Sequence, residues 1–552
     1  MTLRRLVGCL VAIGVALVWL RSLGIRLPYM NQVPVFDGDA MTSEASMWAR
    51  IWWDEGPFKL WFSTPFNPPS IEAPLRSLYE SWPPGAFVPI YLTALVMGVP
   101  PSIPMVNWIN TTEHGLIAMA AAFIAYNVGL LNRLGKVTSA LLAVGVSFPI
   151  LLSRGPLYVM SQIYDVTNAV LVYLAIFLVL ETLYYSAQSA RDKWVITALQ
   201  LVTIYIAFFV DWLSYTLFAF WILSRLAAGY LGVEPRLKLR RVLTLWLIPA
   251  SAFVLYLVWR FGAPGSMART SGMRASINHL LFKIAQRMNL TNDSPITGFT
   301  HVFVGEMHTS HYNAIAFSLI MGSALATLLL VVISFRLARD QEERKAVFVT
   351  GAMLVLVSVP FYLHMIILYE HTYIHRWAMM KVMLAYGLVP FALLPIAALT
   401  AIRLAGGSNV LVRAALPVVG LAVGIVAIVN AKQITDEKWY LLGRVDPKSY
   451  QMWTDIGEKT AYQDVVVSPA LEAGPMSTAI GASYKLVHPV KDFAEVDKLV
   501  ERVCGDFNVV VALPEGTDPG EFGSRPPTEV IDTGRIRLLR FAHYKGKAQS
   551  CS

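Results

Sequence analysis

Apolar runs of near-membrane length recur along this chain: Leu6 to Leu20, Val242 to Val258, Ala346 to Leu363 and Leu411 to Val429. An α-helix rises about 1.5 Å per residue, so about 20 apolar residues cross the roughly 30 Å hydrocarbon core of a bilayer. Each run approaches that length. Hydrocarbon offers the backbone no water, so only helices and closed barrels span it. A barrel requires short strands of alternating polarity, and none is evident. Composition agrees, since 56% of the 552 residues are hydrophobic and 15% charged, against about 25% charged in a soluble chain. The sequence predicts an α-helical polytopic membrane protein.

Leu6 to Leu20 follows Arg4 and Arg5, as in a secretory signal, but Arg21 comes next and no small-residue cleavage site is evident. It therefore reads as a retained first span. The net charge of +9 invites a nucleic-acid reading, but most basic residues lie in short loops between spans. That is the pattern of cytoplasmic loops, and no nucleic-acid partner is expected. With Arg4 and Arg5 in the cytoplasm, Arg133 and Lys136, Arg191 and Lys193, Arg236 to Arg241, Arg336 to Lys345, and Arg403 with Arg413 all fall on the same side. About 11 spans satisfy this alternation. Outer loops then cover residues 24–104, 154–165, 261–312 and 369–376, and the chain is outside from residue 431 onward. The tail is therefore expected on the outer side of the membrane.

The tail, residues 431–552, reads as a small α/β domain after a transmembrane domain of residues 1–430. DVVVS and FNVVVALP have strand length, FAEVDKLVERV between them is helix-periodic, and TGRIRLLRF is a further strand candidate. Cys9 lies in the first span, and Cys504 and Cys551 lie in the tail. An exported pair is able to form a disulfide or to stay reduced, and no zinc spacing is present. In the loop after the seventh span, Ile277, Leu280, Leu281, Ile284 and Met288 recur at helical spacing. That pattern predicts a helix lying in the membrane interface.

The unusual residues collect on the outer side. The first outer loop carries the acidic run PVFDGDAMTSEASMWAR with Asp37, Asp39 and Glu44. The second carries Arg154, Tyr164 and Asp165, the tip of the fifth–sixth hairpin Asp211, and a later loop His301, Glu306, His308 and His311. YEHTYIHRW supplies Glu370, His371, His375 and Arg376. Carboxylates at a membrane boundary are costly and mark functional sites by default. Acids facing a basic group suit activation of a hydroxyl beside an anionic lipid head. The simpler readings are an N-cap for Asp39 and for Asp165, a capping or solvated residue for Glu44, and a snorkelling side chain for Arg376. Glu113 and His114, inside the second span, read as a satisfied polar pair or a substrate contact. His301, His308 and His311 with Glu306 lack a standard zinc pattern.

At these residues the chain resembles a family, the GT-C glycosyltransferases, which includes oligosaccharyltransferase catalytic subunits, protein O-mannosyltransferases and lipid A aminoarabinose transferases. FDGDAMTSEASMWAR is similar to the family's first-loop acidic signature. YESWPPGAFVPIYLTALVMG resembles the Pro-Pro segment that opens a juxtamembrane helix, and SRGPLYVMSQIYDVTNA the second-loop acidic motif. HRWAMMKVMLAYGLVPFALLP resembles the closing span. The second loop departs from the pattern, because Asp165 is followed by Val166, Thr167 and Asn168 instead of a second acid. A divalent cation, Mg or Mn with Asp165 as a ligand, therefore stays an open expectation.

The resemblance implies a GT-C-like fold and transfer of a sugar from a polyprenyl-phosphate donor to a periplasmic lipid, glycan or protein acceptor, among membrane lipids. It makes Asp37 the base or acceptor-orienting carboxylate, with Asp39 and Asp165 as further catalytic acids. Arg376 would grip the phosphate, with Lys59, His375 and Lys381 as weaker candidates for the same charge and Arg154 as a phosphate contact or a structural residue. Glu44 and Asp211 would contact substrate. The rival classes are a transporter or flippase of lipid-linked saccharides, which predicts internal repeats that are not evident, and a non-catalytic envelope-assembly protein.

Overall fold

The computed structural model describes residues 3–30, 39–65, 78–80, 82–290, 302–312, 315–407, 452, 455–461, 464–468, 487–490, 492–501, 503 and 506–545. The chain opens with α1 (Leu3–Arg26) and the juxtamembrane helices α2 (Asp39–Glu55) and α3 (Val88–Met97). The bundle continues through α4 (Ile103–Leu131), α5 (Lys136–Leu152), α6 (Arg154–Gln162), α7 (Val166–Ser186), α8 (Ala190–Phe208), α9 (Leu213–Tyr230) and α10 (Leu239–Gly262). After the short helices α11 (Met267–Thr270) and α12 (Met273–Arg287) come α13 (Ala316–Leu337), α14 (Gln341–Ile367) and α15 (Tyr369–Ile374). The final described span is α16 (Trp377–Leu404), which begins in a 3-10 turn and carries a π turn at Val389–Leu393.

Among the described residues, seven helices are long and apolar enough to cross a membrane, or eight if α5 and α6, bent by 66°, form one span. The expected fifth and sixth spans form as α8 and α9, of 19 and 18 residues, but are not among the seven. The expected eleventh span lies outside the described residues, so a count of about 11 is not established.

Helix faces follow the solvent each one meets. On α1, Val11, Val15 and Val18 are buried, while Leu6, Leu10, Ile13, Leu17 and Leu20 are exposed. That outer stripe has helical spacing and suits lipid contact. On the inner side Gly14 lies against Val144, and Gly115 lets Trp19 close on α4, where Trp19 Nε1 donates to the Thr111 carbonyl at 3.0 Å. At the centre, α4 presents buried Ala118, Ala121, Ala122 and Ala125 and packs on α5 and α7. Small residues allow such close helix approach where no hydrophobic effect drives it.

Pro149 lies inside α5, and Ser153 leaves the helical region at φ −75°, ψ 148°. Proline removes one helix hydrogen bond and crowds the preceding turn. The chain therefore turns into α6, which delivers Tyr164 and Asp165 to the start of α7.

The tail contains a five-stranded sheet of order β2-β1-β3-β5-β4. Its strands are β1 (Val465–Ser468), β2 (Val487–Pro489), β3 (Asp506–Pro514), β4 (Glu529–Asp532) and β5 (Ile536–Lys545). β1 runs parallel to β2 and β3, and β5 runs antiparallel to β3 and β4. The helix α17 (Phe493–Val500) covers one face through Phe493 and Val496. DVVVS, FNVVVALP, FAEVDKLVERV and TGRIRLLRF thus take the expected forms. Cys504, Cys551 and the boundary near residue 430 lie outside the described residues.

Candidate functional site

The first-loop acids reach the second loop through a backbone contact. The Tyr164 N–H donates to Thr42 Oγ1 at 2.8 Å, which fastens the opening turns of α2 to the segment before α7. Glu44, on the same helix, is thereby buried beside Asp165. Burial first, and the Asp165 charge second, push the Glu44 pKa up to about 8. Asp165 itself is buried and caps α7, with Oδ1 accepting from the Val166 N–H at 2.7 Å. Its Oδ2 accepts from Trp377 Nε1 at 3.0 Å. The N-cap reading of Asp165 is therefore correct, and its second oxygen links α7 to α16. Asp39 opens α2, but its side chain and all of Asp37 lie outside the described residues.

Asp211 sits between α8 and α9, fully buried, with Oδ1 accepting from the Leu213 N–H at 2.6 Å. Its Oδ2 is 3.9 Å from Lys381 Nζ, and its Oδ1 is 3.7 Å from His364 Nε2. Lys381 is fully buried, and among the described residues Lys381 Nζ, Asp211 Oδ2 and His364 Nε2 have no hydrogen-bond partner. The sequence ranked Lys381 below Arg376. A lysine near the start of an apolar span was the available signal for a stronger assignment.

An aromatic column joins the two acidic centres. Trp377 lies 4.7 Å from the His375 ring, His375 lies 4.6 Å from His371, and His371 lies 5.2 Å from Trp82. Lys381 Nζ stands 5.9 Å from the centre of the Trp82 ring. Burial holds the His375 pKa down to about 4, and burial with nearby positive charge holds His371 well below the ordinary imidazole range.

Trp82 also borders a cavity of about 730 Å³. Aromatic and aliphatic side chains such as Tyr79, Trp212, Phe253, Tyr256 and Leu280 line most of it, and Arg260, Lys283 and Arg287 supply positive charge. Arg260 pairs with Glu80 at 3.3 Å, and Arg287 with Glu370 at 3.3 Å. Glu80 also accepts from the Met267 N–H at 2.9 Å, so it pins the start of α11. The sequence reading missed both Glu80 and Arg260, whose partners are remote in the chain. α12 forms one wall, and Ile277, Leu281 and Ile284 remain exposed on it.

The other candidates are placed as follows. Lys59 is exposed and 4.0 Å from Glu55, one helical turn away. Arg154 opens α6 and is half-buried. Arg376 begins the 3-10 turn before α16, close in sequence to His375 and Trp377, and its side chain lies outside the described residues. Glu113 accepts from Tyr164 Oη at 3.4 Å, and His114 is satisfied by Arg26 and by the Ile150 carbonyl at 2.9 Å. His308 bonds the Phe303 carbonyl and Tyr362 Oη at 3.1 Å. His301 and the Glu306 side chain fall outside the described residues. Among the described residues, no group of three or more His, Cys, Asp or Glu is arranged to hold a metal ion.

A polytopic helical bundle with acids from separate loops at one end and a small mixed sheet at its C-terminus defines the class of protein. No protein-family profile matches the chain, and no curated protein does. Solved structures do. Over 99% of this chain and 98% of the other, it is similar to ArnT from Cupriavidus metallidurans bound to undecaprenyl phosphate, at 11% identity and a TM-score of 0.52. It is also similar to the oligosaccharyltransferase AglB from Archaeoglobus fulgidus in complex with an inhibitory peptide and a dolichol-phosphate. There the match covers 90% of this chain and 69% of AglB, at 12% identity and a TM-score of 0.51. The chain has the GT-C-like fold of these two proteins.

Proposed function

We propose that the chain is a membrane glycosyltransferase that takes a sugar from a polyprenyl-phosphate carrier. The acceptor is a lipid, glycan or protein on the periplasmic face of a bacterial cytoplasmic membrane, where residues 431–552 also lie as a domain following the 1–430 membrane domain. The observation that carries this reading is Lys381. It is a fully buried cation that makes no hydrogen bond among the described residues, 3.9 Å from Asp211 and 5.9 Å from the ring of Trp82, which borders a largely apolar cavity. A buried ammonium that faces one carboxylate at 3.9 Å and makes no hydrogen bond has donors left for a second anion. An apolar cavity beside it suits a lipid phosphate.

The reaction is a displacement at the anomeric carbon. The acceptor oxygen forms the new bond to carbon, the carbon–phosphate oxygen bond breaks, and its electron pair leaves on the polyprenyl phosphate. Lys381 and Arg376 stabilise that developing charge. The acceptor proton passes to a carboxylate of the first loop, assigned to Asp37 with Asp39 alongside. Glu44, protonated at neutral pH, acts as a hydrogen-bond donor instead of the base. Asp165, held by Trp377 and its own helix, orients the acceptor. If a divalent cation binds, Glu44 and Asp165 would hold it, and its charge would offset the burial and, second, the Asp165 charge that raise the Glu44 pKa. Such an ion would supply further electrostatic stabilisation.

The test is incubation of purified protein with labelled polyprenyl-phosphate sugars and acceptors, with and without Mg²⁺ or Mn²⁺. Transfer should occur, and Lys381→Met should lower kcat by about 100-fold or more, the scale of losing one charge-stabilising group. A folded protein that transfers nothing from any donor, but moves lipid-linked sugar across a bilayer, would replace this reading with a flippase.

A further inference from the structure

Resting on the sugar-transfer reading, we propose that His371 and His375, bracketed by Trp82 and Trp377, form the subsite that reads the transferred sugar and selects an uncharged pyranose. In-line displacement places the anomeric carbon between the carboxylates and the phosphate-gripping cation. Trp377 bonds Asp165 at one end of the column, and Trp82 underlies Lys381 at the other. The sugar ring would then lie against this column, with the indoles of Trp82 and Trp377 at its two ends and the cavity reached at Trp82.

The histidines supply the polar half. Among the described residues, neither ring nitrogen of His371 nor Nδ1 of His375 has a hydrogen-bond partner, and His371 is 3% exposed. Buried polar groups in native proteins are rarely left unpaired without a reason such as a missing ligand. Burial and the nearby Lys381, Arg287 and His364 keep His371 uncharged. A neutral imidazole presents one donor and one acceptor. A hydroxyl also donates and accepts, so it matches this pair. A charged substituent of either sign would have to shed its water beside two buried imidazoles that pair with a hydroxyl, which costs far more than burying that hydroxyl. A site built to bond a hydroxyl also rejects an analogue that lacks it, because its own groups are then stranded.

The experiment is calorimetric titration, checked by tryptophan fluorescence, of the full chain in nanodiscs. The probes are polyprenyl phosphate, polyprenyl-phosphoglucose, and the matching glucosamine and glucuronate lipids. The glucosyl lipid is expected to bind at least tenfold tighter than the bare phosphate and at least tenfold tighter than either charged analogue, about 1.4 kcal/mol in each case. His371→Phe should erase the glucosyl advantage while leaving bare-lipid binding within twofold, and His371→Asn, which keeps a donor and an acceptor, should restore part of it. An undiminished advantage in His371→Phe overturns the subsite. So does equal binding of a charged sugar by the unaltered protein, which needs no variant to fold. A glucosyl advantage that follows His371 without transfer to any acceptor sinks the transfer reading and leaves the subsite standing.

Discussion

Glu44 and Asp165 show how burial sets the chemistry of a single residue. Folded Glu44 keeps its proton up to about pH 8, whereas its ordinary value is 4.5. Between those values the folded state binds more protons than the unfolded one, so stability falls as pH rises. The melting temperature in detergent should therefore drop between pH 5 and pH 8, and Glu44→Gln should flatten that drop. An unchanged slope in the variant means that another group titrates there. Asp211 and Lys381 provide a second case. They face each other at 3.9 Å, both fully buried. Removing one partner of a buried pair strands the other, typically at a cost of about 3–5 kcal/mol. Asp211→Asn should lower the melting temperature, and Asp211→Asn with Lys381→Met should recover much of the loss. Additive losses in that double-mutant cycle would show that the two charges do not interact.

At the scale of elements, the site depends on how the juxtamembrane segments meet the hairpin tip. The Gly85 N–H donates to the Phe209 carbonyl at 2.8 Å, and a Cβ on Gly85 would sit 2.2 Å from that oxygen. Gly85→Ala must push the α3 entry away from the segment that carries Asp211. Overpacking of this kind costs about 1–3 kcal/mol. The expected outcome is a lower melting temperature together with a transfer rate lower than the stability loss explains. A normal rate would mean that the tip tolerates displacement. The elements were largely legible in the sequence, because hydrophobic runs set the spans and the acidic signature set α2. The meeting of Glu44 with Asp165 followed from loop order alone. The Asp211–Lys381 and Glu80–Arg260 pairs did not, since neither has a local pattern and each joins elements far apart in the chain. Lys381 was visible only as a lysine in an apolar span, and the burial of its ammonium beside Asp211 is a property of the packing around it.

At the scale of the whole molecule, the cavity and the lipid-facing helices make one prediction together. α12 keeps its outer apolar residues exposed while Leu280, Lys283 and Arg287 turn toward the cavity. A lipid entering from the bilayer would bring its chain along the apolar wall and its phosphate to the cations. A ligand that binds only the folded state stabilises it by about 2.7 kcal/mol at 100 times its Kd. Polyprenyl phosphate should therefore raise the melting temperature in a dose-dependent way, and a short alkyl phosphate should do so far less, because it buries less apolar surface. Leu280→Asp places a carboxylate in the cavity, where it repels the phosphate and spoils the apolar wall. This variant should keep the ligand-free melting temperature, since Leu280 is only half-buried, and lose the lipid-induced rise. Equal stabilisation by both phosphates, or a rise that survives Leu280→Asp, would place the lipid elsewhere on the bundle.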